Sequence, residues 1–295
     1  MQTTVLYRLL VLSLVLVACQ SQKPKPSETT GLQPYFGQTP PGREAERFAP
    51  NVVSVQGRYE YGVSFTPDLS EIYFSGNGED GIQSVYVSKW LDSLWTAPKI
   101  RSLTQGRKKN EFEAFVSPNG QQLVFAAFDS IFSDERIWMM AKESSRWGSA
   151  RLLDSPVNDA LVFYPTLADN GDLFYTNISE LKLYWAPFRK GGYPEALALE
   201  IPQGLHGFIA PDQSFLLFDA PKAEGKDRDI HVCFKETDGS WSEPVNLGPS
   251  VNSDFTETCP SVSPDGKYLF FSRYNEANGM SDIYWVDAAC ITEAK

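Results

Sequence analysis

A short turn signal recurs along this chain, each time between an extended run and an aromatic strand. It reads Phe65-Thr66-Pro67-Asp68, Ser117-Pro118-Asn119-Gly120, Ala168-Asp169-Asn170-Gly171, Ala210-Pro211-Asp212 and Ser263-Pro264-Asp265-Gly266. Pro67 and Pro264 lie 197 residues apart over four intervals, about 49 per interval, which is the period of a four-stranded propeller blade. A unit of that length cannot bury its apolar face alone. It must stack against copies of itself, so the repeat constrains the fold more than any single motif does.

Each repeat divides into four strands. The first precedes the turn. The second follows it, at residues 71–74, 123–125, 172–175, 215–218 and 268–271. The third comes after a polar loop, at 84–87, 136–139, 182–185, 229–232 and 282–285. The fourth begins near Trp95, Trp147, Tyr193 and Trp241. An aromatic content of 13% with 21 Gly and 20 Pro suits many short strands and tight turns. No extended stretch carries a period near 3.6.

The fifth repeat stops after its third strand, near Cys290. Phe48-Ala49-Pro50-Asn51-Val52-Val53 resembles Trp241-Ser242-Glu243-Pro244-Val245-Asn246, and the stretch 48–68 parallels 241–265. An N-terminal strand at 48–53 is therefore expected to complete the last blade, which removes an open sheet edge. The expectation is an all-β propeller of five four-stranded blades over residues 48–295. A six-bladed alternative needs another repeat, and residues 20–47 contain none.

The segment 263–272, Ser-Pro-Asp-Gly-Lys-Tyr-Leu-Phe-Phe-Ser, followed by Asp282-Ile283-Tyr284, resembles the Pro-Asp type of WD-like repeat. That repeat occurs in the TolB propeller domain and in many exported bacterial lipoproteins. The resemblance covers about residues 48–290 and is strongest in repeats one, two and five. Repeat three lacks the Pro, and repeat four has Gln213 in place of Gly. TolB has six blades and an extra domain, neither of which is read in this chain, so no TolB-specific role is carried over.

Residues 1–18 read as a secretory leader, with Arg8 ahead of the apolar run 9–18, which is too short to span a bilayer. The run ends in Leu16-Val17-Ala18-Cys19, which resembles the lipobox of bacterial lipoproteins. That resemblance implies cleavage before Cys19 and lipid on its sulfur and new amino group, an anchor to the envelope. Gln20, where such lipoproteins carry Asp for inner-membrane retention, implies the outer membrane. Residues 19–47, rich in Pro, Gln, Ser and Thr, are expected to be a flexible tether.

The net charge is -11, and residues 1–47 contribute +2 from five Lys/Arg and three Glu, which leaves -13 on the rest. So acidic a body repels phosphate backbones and argues against a nucleic-acid partner. Cys233, Cys259 and Cys290 make an odd number and are expected to be buried, unpaired thiols.

Aligned on the turn, Glu60, Glu111 and Glu257 stand seven residues before it in blades one, two and five, where blades three and four have Val162 and Gly204. Glu113 and His206 stand two residues later in blades two and four. Closure of a five-bladed ring makes blades one, two and five neighbours. Four roles suit the three glutamates. They can ligate a divalent cation such as calcium through oxygen, or act as an acid/base pair on a glycosidic bond. They can line a polar pocket, or they can belong to the repeat and satisfy backbone donors. The candidate binding residues are Glu60, Glu111, Glu113, His206 and Glu257. Trp95, Trp147 and Trp241 recur once per blade, which points to packing between blades rather than to a sugar platform. Only two His, His206 and His231, are present, which rules out a His-rich metal centre. With no Gly-rich phosphate loop and no Gly-x-Ser-x-Gly, the functional expectation is a non-catalytic envelope lipoprotein that holds a protein or a glycan without a cofactor. The alternative is a glycan-active hydrolase or lyase using Glu60, Glu111 or Glu257.

Overall fold

The computed structural model describes residues 33–77, 80–223 and 227–295. The leader at 1–18, Cys19 and the tether as far as residue 32 lie outside the described residues. Strands dominate, and they form five antiparallel sheets, the blades of a propeller. Blade one begins with Tyr59–Phe65, Glu71–Asn77 and Gln83–Leu91, and blade two with Asn110–Val116, Gln122–Phe128 and Arg136–Glu143. Blade three begins with Val162–Leu167, Leu173–Asn177 and Lys182–Ala186, and blade four with Leu205–Ile209, Phe215–Pro221 and Arg228–Phe234. Blade five begins with Thr256–Val262, Tyr268–Asn275 and Met280–Asp287. The first strands of successive blades touch one another around the axis, blade five meeting blade one. Every outer strand is short, as in Lys99–Ile100, Arg151–Leu152, Leu197–Ala198 and Val245–Asn246. Short edges offer little template for pairing with another chain.

The recurring turn works by one mechanism throughout. The N–H at its fourth position bonds back to the first carbonyl, as in Gly120 to Ser117 and Gly266 to Ser263, both at 2.8 Å. The Ser263 hydroxyl also donates to Asp265 Oδ1 at 2.7 Å. The donor residue is left-handed in every copy, with φ of 59° at Leu69, 68° at Gly120, 86° at Gly171, 61° at Gln213 and 72° at Gly266. Only Gly adopts this without a steric cost. Leu69 and Gln213 take it in spite of that cost, held by the same bond back to the Thr66 and Ala210 carbonyls, both at 2.8 Å.

Ring closure differs in detail from the expectation. The strand that completes blade five is Glu46–Arg47, opposite Trp285 and Tyr284, rather than residues 48–53. Phe48 N–H donates to the Ile283 carbonyl at 2.8 Å, as Leu247 N–H does to Ile230 in blade four at 3.1 Å. Phe48 therefore takes the place of Leu247, six residues on from the expected match at Trp241. Aromatic identity had suggested the wrong register. The pairing with the third strand sets the true one, and it buries the Phe48 ring completely between blades five and one. Residues 49–54 then turn back through Val52 and Val53 N–H groups bonded to the Ala49 carbonyl.

The expected tether is likewise shorter than residues 19–47. Pro34–Gly37 form a 3-10 turn that lays Tyr35 into the seam between blades five and one. Its ring meets Tyr268 at 5.0 Å and Phe65 and Trp285 at 5.5 Å, and its hydroxyl donates to Asp265 Oδ1 at 2.8 Å. An aromatic side chain only 4% exposed is core, not linker.

Each seam between neighbouring blades has its own apolar cluster, five in all among the described residues. The blade-end tryptophans serve these seams. Trp147 packs on the seam of blades one and two, and its indole donates to the Tyr73 hydroxyl at 2.8 Å. The three thiols Cys233, Cys259 and Cys290 are free, and Cys233 and Cys259 are buried.

Tyr35→Ala is expected to destabilise the protein by about 3–5 kcal/mol, the usual cost of truncating a buried aromatic, and to lower Tm by roughly 2–4 °C for each kcal/mol. Tyr35→Phe loses one hydrogen bond and is expected to cost only about 1 kcal/mol. Thermal melts of both decide whether residues 33–47 belong to the propeller, and a Tyr35→Ala protein melting like its parent would show that they do not.

Candidate functional site

The three glutamates expected at a channel mouth bind three separate loops. Each staples the loop by which the chain enters its own blade. Glu60 Oε1 accepts from Val55 N–H at 3.2 Å and from Arg58 Nε at 2.8 Å. Glu111 accepts from Leu103 N–H at 2.6 Å, Thr104 N–H at 2.7 Å, Ser102 Oγ at 3.1 Å and the Thr104 hydroxyl. Glu257 accepts from Ser253 N–H at 3.2 Å and Arg273 Nε at 2.7 Å. All three are buried, and none lines either of the two cavities described below. They act as the repeat's own loop fasteners, satisfying backbone donors that would otherwise be stranded. The basic island beside Glu111 pairs elsewhere. Lys108 Nζ lies 2.9 Å from Asp129 and 2.6 Å from Asp134, and the Arg107 guanidinium sits 4.9 Å above the Trp138 ring.

The column two residues later builds the channel. Gly62, Glu113, Tyr164, His206 and Cys259 each occupy a β-bulge in the first strand of a blade, between residues 61 and 63, 112 and 115, 163 and 166, 205 and 208, and 258 and 261. All five are left-handed, with φ of 57°, 54°, 52°, 46° and 55°. The bulge swings these residues out of the ladder toward the axis. Their N–H groups then need partners, and the second strand of the preceding blade supplies them. Ser272 Oγ accepts from Gly62 at 3.4 Å, Ser75 Oγ from Glu113 at 2.7 Å, and Thr176 Oγ1 from His206 at 3.0 Å.

Two blades break this pattern. Blade two has Ala126 at the hydroxyl position, and Glu113 Oε2 itself accepts the Tyr164 N–H at 2.8 Å. Blade four has Asp219, whose Oδ1 lies 2.6 Å from His206 Nδ1 and whose Oδ2 binds Arg228 Nε. The carboxylate can only accept, so His206 carries its proton on Nδ1 toward Asp219 and points Nε2 at Glu113, 3.7 Å away. The rings of Phe163 and Tyr164 close on the imidazole edge-on at 5.0 and 5.1 Å. Burial alone would drive the imidazole down, but the Cys259 thiol and the Asp219 carboxylate outweigh it and hold His206 well above its ordinary value. Burial lifts Glu113 to about 7 against the pull of His206 and the Tyr164 N–H.

Glu113, His206 and Cys259 form the floor of a cavity of about 390 Å³ at the mouth where the chain enters the first strands. Its walls are Tyr59, Tyr61, Phe112, Phe128 and Phe163, with Ile131 and Phe132 exposed at the rim. Tyr61 donates to Gln83 Oε1 at 2.6 Å. Two buried acceptors on this wall, Asn77 Oδ1 and Glu135 Oε2, have no protein partner. A second cavity of about 480 Å³ opens at the opposite mouth among the recurring turns, lined by Pro67, Pro118, Pro211 and Pro264. Of the candidate residues read from the sequence, Glu113 and His206 come together here, while Glu60, Glu111 and Glu257 do not. Cys259, Tyr164 and Asp219 were not anticipated. The repeat alignment held the signal for two of them, since the column five residues before the turn runs Gly62, Glu113, Tyr164, His206, Cys259.

Burial pushes the Glu60 carboxyl up to about 7, against the Val55 N–H and the Arg58 guanidinium. The folded chain thus keeps a proton that the unfolded chain gives up at its ordinary value of 4.5. Between those values the native state binds more protons, so this group's contribution falls as pH rises. Glu60→Gln mimics the protonated acid. Its Tm relative to the parent is expected to rise by a few degrees from about pH 5 to about pH 8. A relative Tm that falls over that range would show that the carboxylate form is the favoured one.

No protein-family model matches the sequence, and no curated protein matches it. Among solved structures the chain is similar to a TolB-like protein from Agrobacterium tumefaciens, at 17% identity and a TM-score of 0.51, over 73% of this chain and 70% of the other. It is also similar to a gluconolactonase from Xanthomonas campestris, at 9% identity and a TM-score of 0.50, over 79% of this chain and 87% of the other. Identities this low speak for the fold alone. In fold, this chain is a β-propeller with five blades, similar to that TolB-like structure.

Proposed function

We propose that this protein is a glycan-binding propeller of the bacterial cell envelope, anchored by lipid on Cys19, with the aromatic-walled mouth as its binding site. One observation carries the reading. The cavity combines Tyr59, Tyr61, Phe112, Phe128 and Phe163 with two buried acceptors, Asn77 Oδ1 and Glu135 Oε2, that lack a donor. A buried acceptor without a partner is costly, and once a side-chain rotation turns it into the cavity a ligand hydroxyl relieves it. A sugar offers both surfaces required, an apolar C–H face for the rings and hydroxyl donors for the acceptors. Peptides offer fewer hydroxyls per unit of apolar face, so the glycan is favoured over a protein partner. Glycan cleavage by Glu60, Glu111 or Glu257 is not part of this reading, because their carboxylates are committed to loop N–H groups. The outer membrane remains the proposed location, from the lipobox resemblance and Gln20.

Titration calorimetry of the purified protein with envelope oligosaccharides is expected to give dissociation constants in the micromolar to millimolar range. Phe163→Ala and Glu135→Gln should each weaken binding about tenfold, a loss of about 1.4 kcal/mol. Saccharide binding that survives both substitutions, or its absence across the panel, would overturn the glycan reading. Cys19→Ser is expected to move the protein from the membrane to the soluble fraction of cells, because a chain without acyl groups loses about 0.8 kcal/mol for every buried CH₂.

A further inference from the structure

The floor of the aromatic cavity holds a side-chain group that sugar stacking does not call for. Glu113, His206 and Cys259 come from blades two, four and five, and each offers one ligand atom within 4.8 Å of the others. Among the described residues this is the one group of three or more His, Cys, Asp and Glu side chains so placed. We propose that these three residues form a site for a single borderline divalent cation, with zinc as the best fit, and that a fourth coordination position opens into the cavity.

The His206–Glu113 pair has the spacing of two ligands on one ion, and the group of three, within 4.8 Å, draws in on binding. His206 Nε2 and Glu113 Oε1 are 3.7 Å apart, beyond hydrogen-bond length. Two ligands on one tetrahedral zinc, with bonds of about 2.0–2.3 Å, stand about 3.3–3.7 Å apart. The outer contacts are also those of a metal site. Asp219 accepts the Nδ1 proton of His206 at 2.6 Å, so Nε2 is the nitrogen that ligates once its own proton has left. The Tyr164 N–H holds Glu113 Oε2 at 2.8 Å and leaves Oε1 toward the group. Cys259 has no disulfide partner.

The donor set selects the metal. Imidazole nitrogen and thiolate sulfur suit zinc and its neighbours, whereas calcium and magnesium ask for oxygen throughout. An oxygen-only calcium site on Glu60, Glu111 and Glu257, one of the roles open to them from the sequence, is not favoured here, because each carboxylate binds a separate loop. On binding, Cys259 ligates as thiolate, and any protons on Sγ and Nε2 leave to solvent. Three protein ligands with an open fourth position are the arrangement of zinc sites that hold water or a ligand group. The proposal is independent of the glycan reading, since metal affinity is measured on the protein alone.

Cobalt(II) is the probe, added to the tag-free full-length protein in detergent after dialysis against a chelator. One cobalt per chain is expected, with thiolate-to-cobalt charge transfer in the near ultraviolet and intense d–d bands in the visible. Zinc should displace it and abolish both. Cys259→Ser is expected to lose the charge-transfer band and at least about tenfold in affinity, while Asp219→Asn keeps the band and loses about 10–100-fold. Cys259→Ser is a buried change that can impair folding. The double variant Cys233→Ser, Cys290→Ser therefore provides a second route, since it leaves Cys259 as the one thiol outside the lipidated Cys19. A band retained in that variant assigns the sulfur to Cys259. Absence of the band in the parent protein, or its survival in folded Cys259→Ser, would overturn the proposal.

Discussion

Closure of the ring within its last blade is the constraint on which the rest of this molecule depends. Blades one and five each present an apolar face that only the other can cover. The seam is held by the pairing of Glu46–Arg47 with Trp285 and Tyr284 and by the buried rings of Tyr35, Phe48, Phe270 and Trp285. Full burial of a large apolar side chain is worth about 1.5–3 kcal/mol, so these few aromatics outweigh the two-residue ladder they accompany. The ladder decides which residues meet, and the rings supply the free energy. Cys259 in blade five reaches His206 and Glu113 across the axis only because this seam is closed.

The second constraint is the bulge repeated in every first strand. Four of the five bulge residues are not glycine, and a left-handed conformation costs each roughly 1–2 kcal/mol. What offsets it is a hydrogen bond to the neighbouring blade, as where the His206 N–H donates to Thr176 Oγ1. The bulges at Gly62, Glu113, Tyr164 and His206 are therefore tied to the blade before them, and the channel lining is a property of the ring. The two blades that replace the hydroxyl, with Ala126 and with Asp219, are the two that bring Glu113 and His206 their special partners. A structural device has been altered at two places, and the polar chemistry of the channel gathers there.

Much of the architecture was legible because a 49-residue repeat leaves one turn and one strand pattern in each copy, and local hydrogen bonding enforces both. Register at the closure was not legible. Phe48 and Trp241 are both aromatic, yet Phe48 is fully buried within a seam while Trp241 covers the half-exposed edge of another, bridged to Lys235. That difference depends on a strand more than two hundred residues away, Met280–Asp287. For the same reason the apparent linker around Tyr35 looked polar and aperiodic, since its partners Phe65, Tyr268 and Trp285 are distant in the chain.

The glutamates show where reading by column stops. Alignment placed Glu60, Glu111 and Glu257 at one site in each blade, and that placement holds. Which way a carboxylate turns is decided by the nearest unsatisfied N–H, and at those positions the entering loop offers one. Two residues on, the bulge reverses the choice and aims the side chain at the axis. The sequence by itself determined the repeat, the turn chemistry, the count of five blades and the column containing Glu113 and His206. Only the tertiary structure decided that Cys259 and Asp219 join them and that the other glutamates do not, because φ at the bulge and closure of the ring are set by contacts between blades.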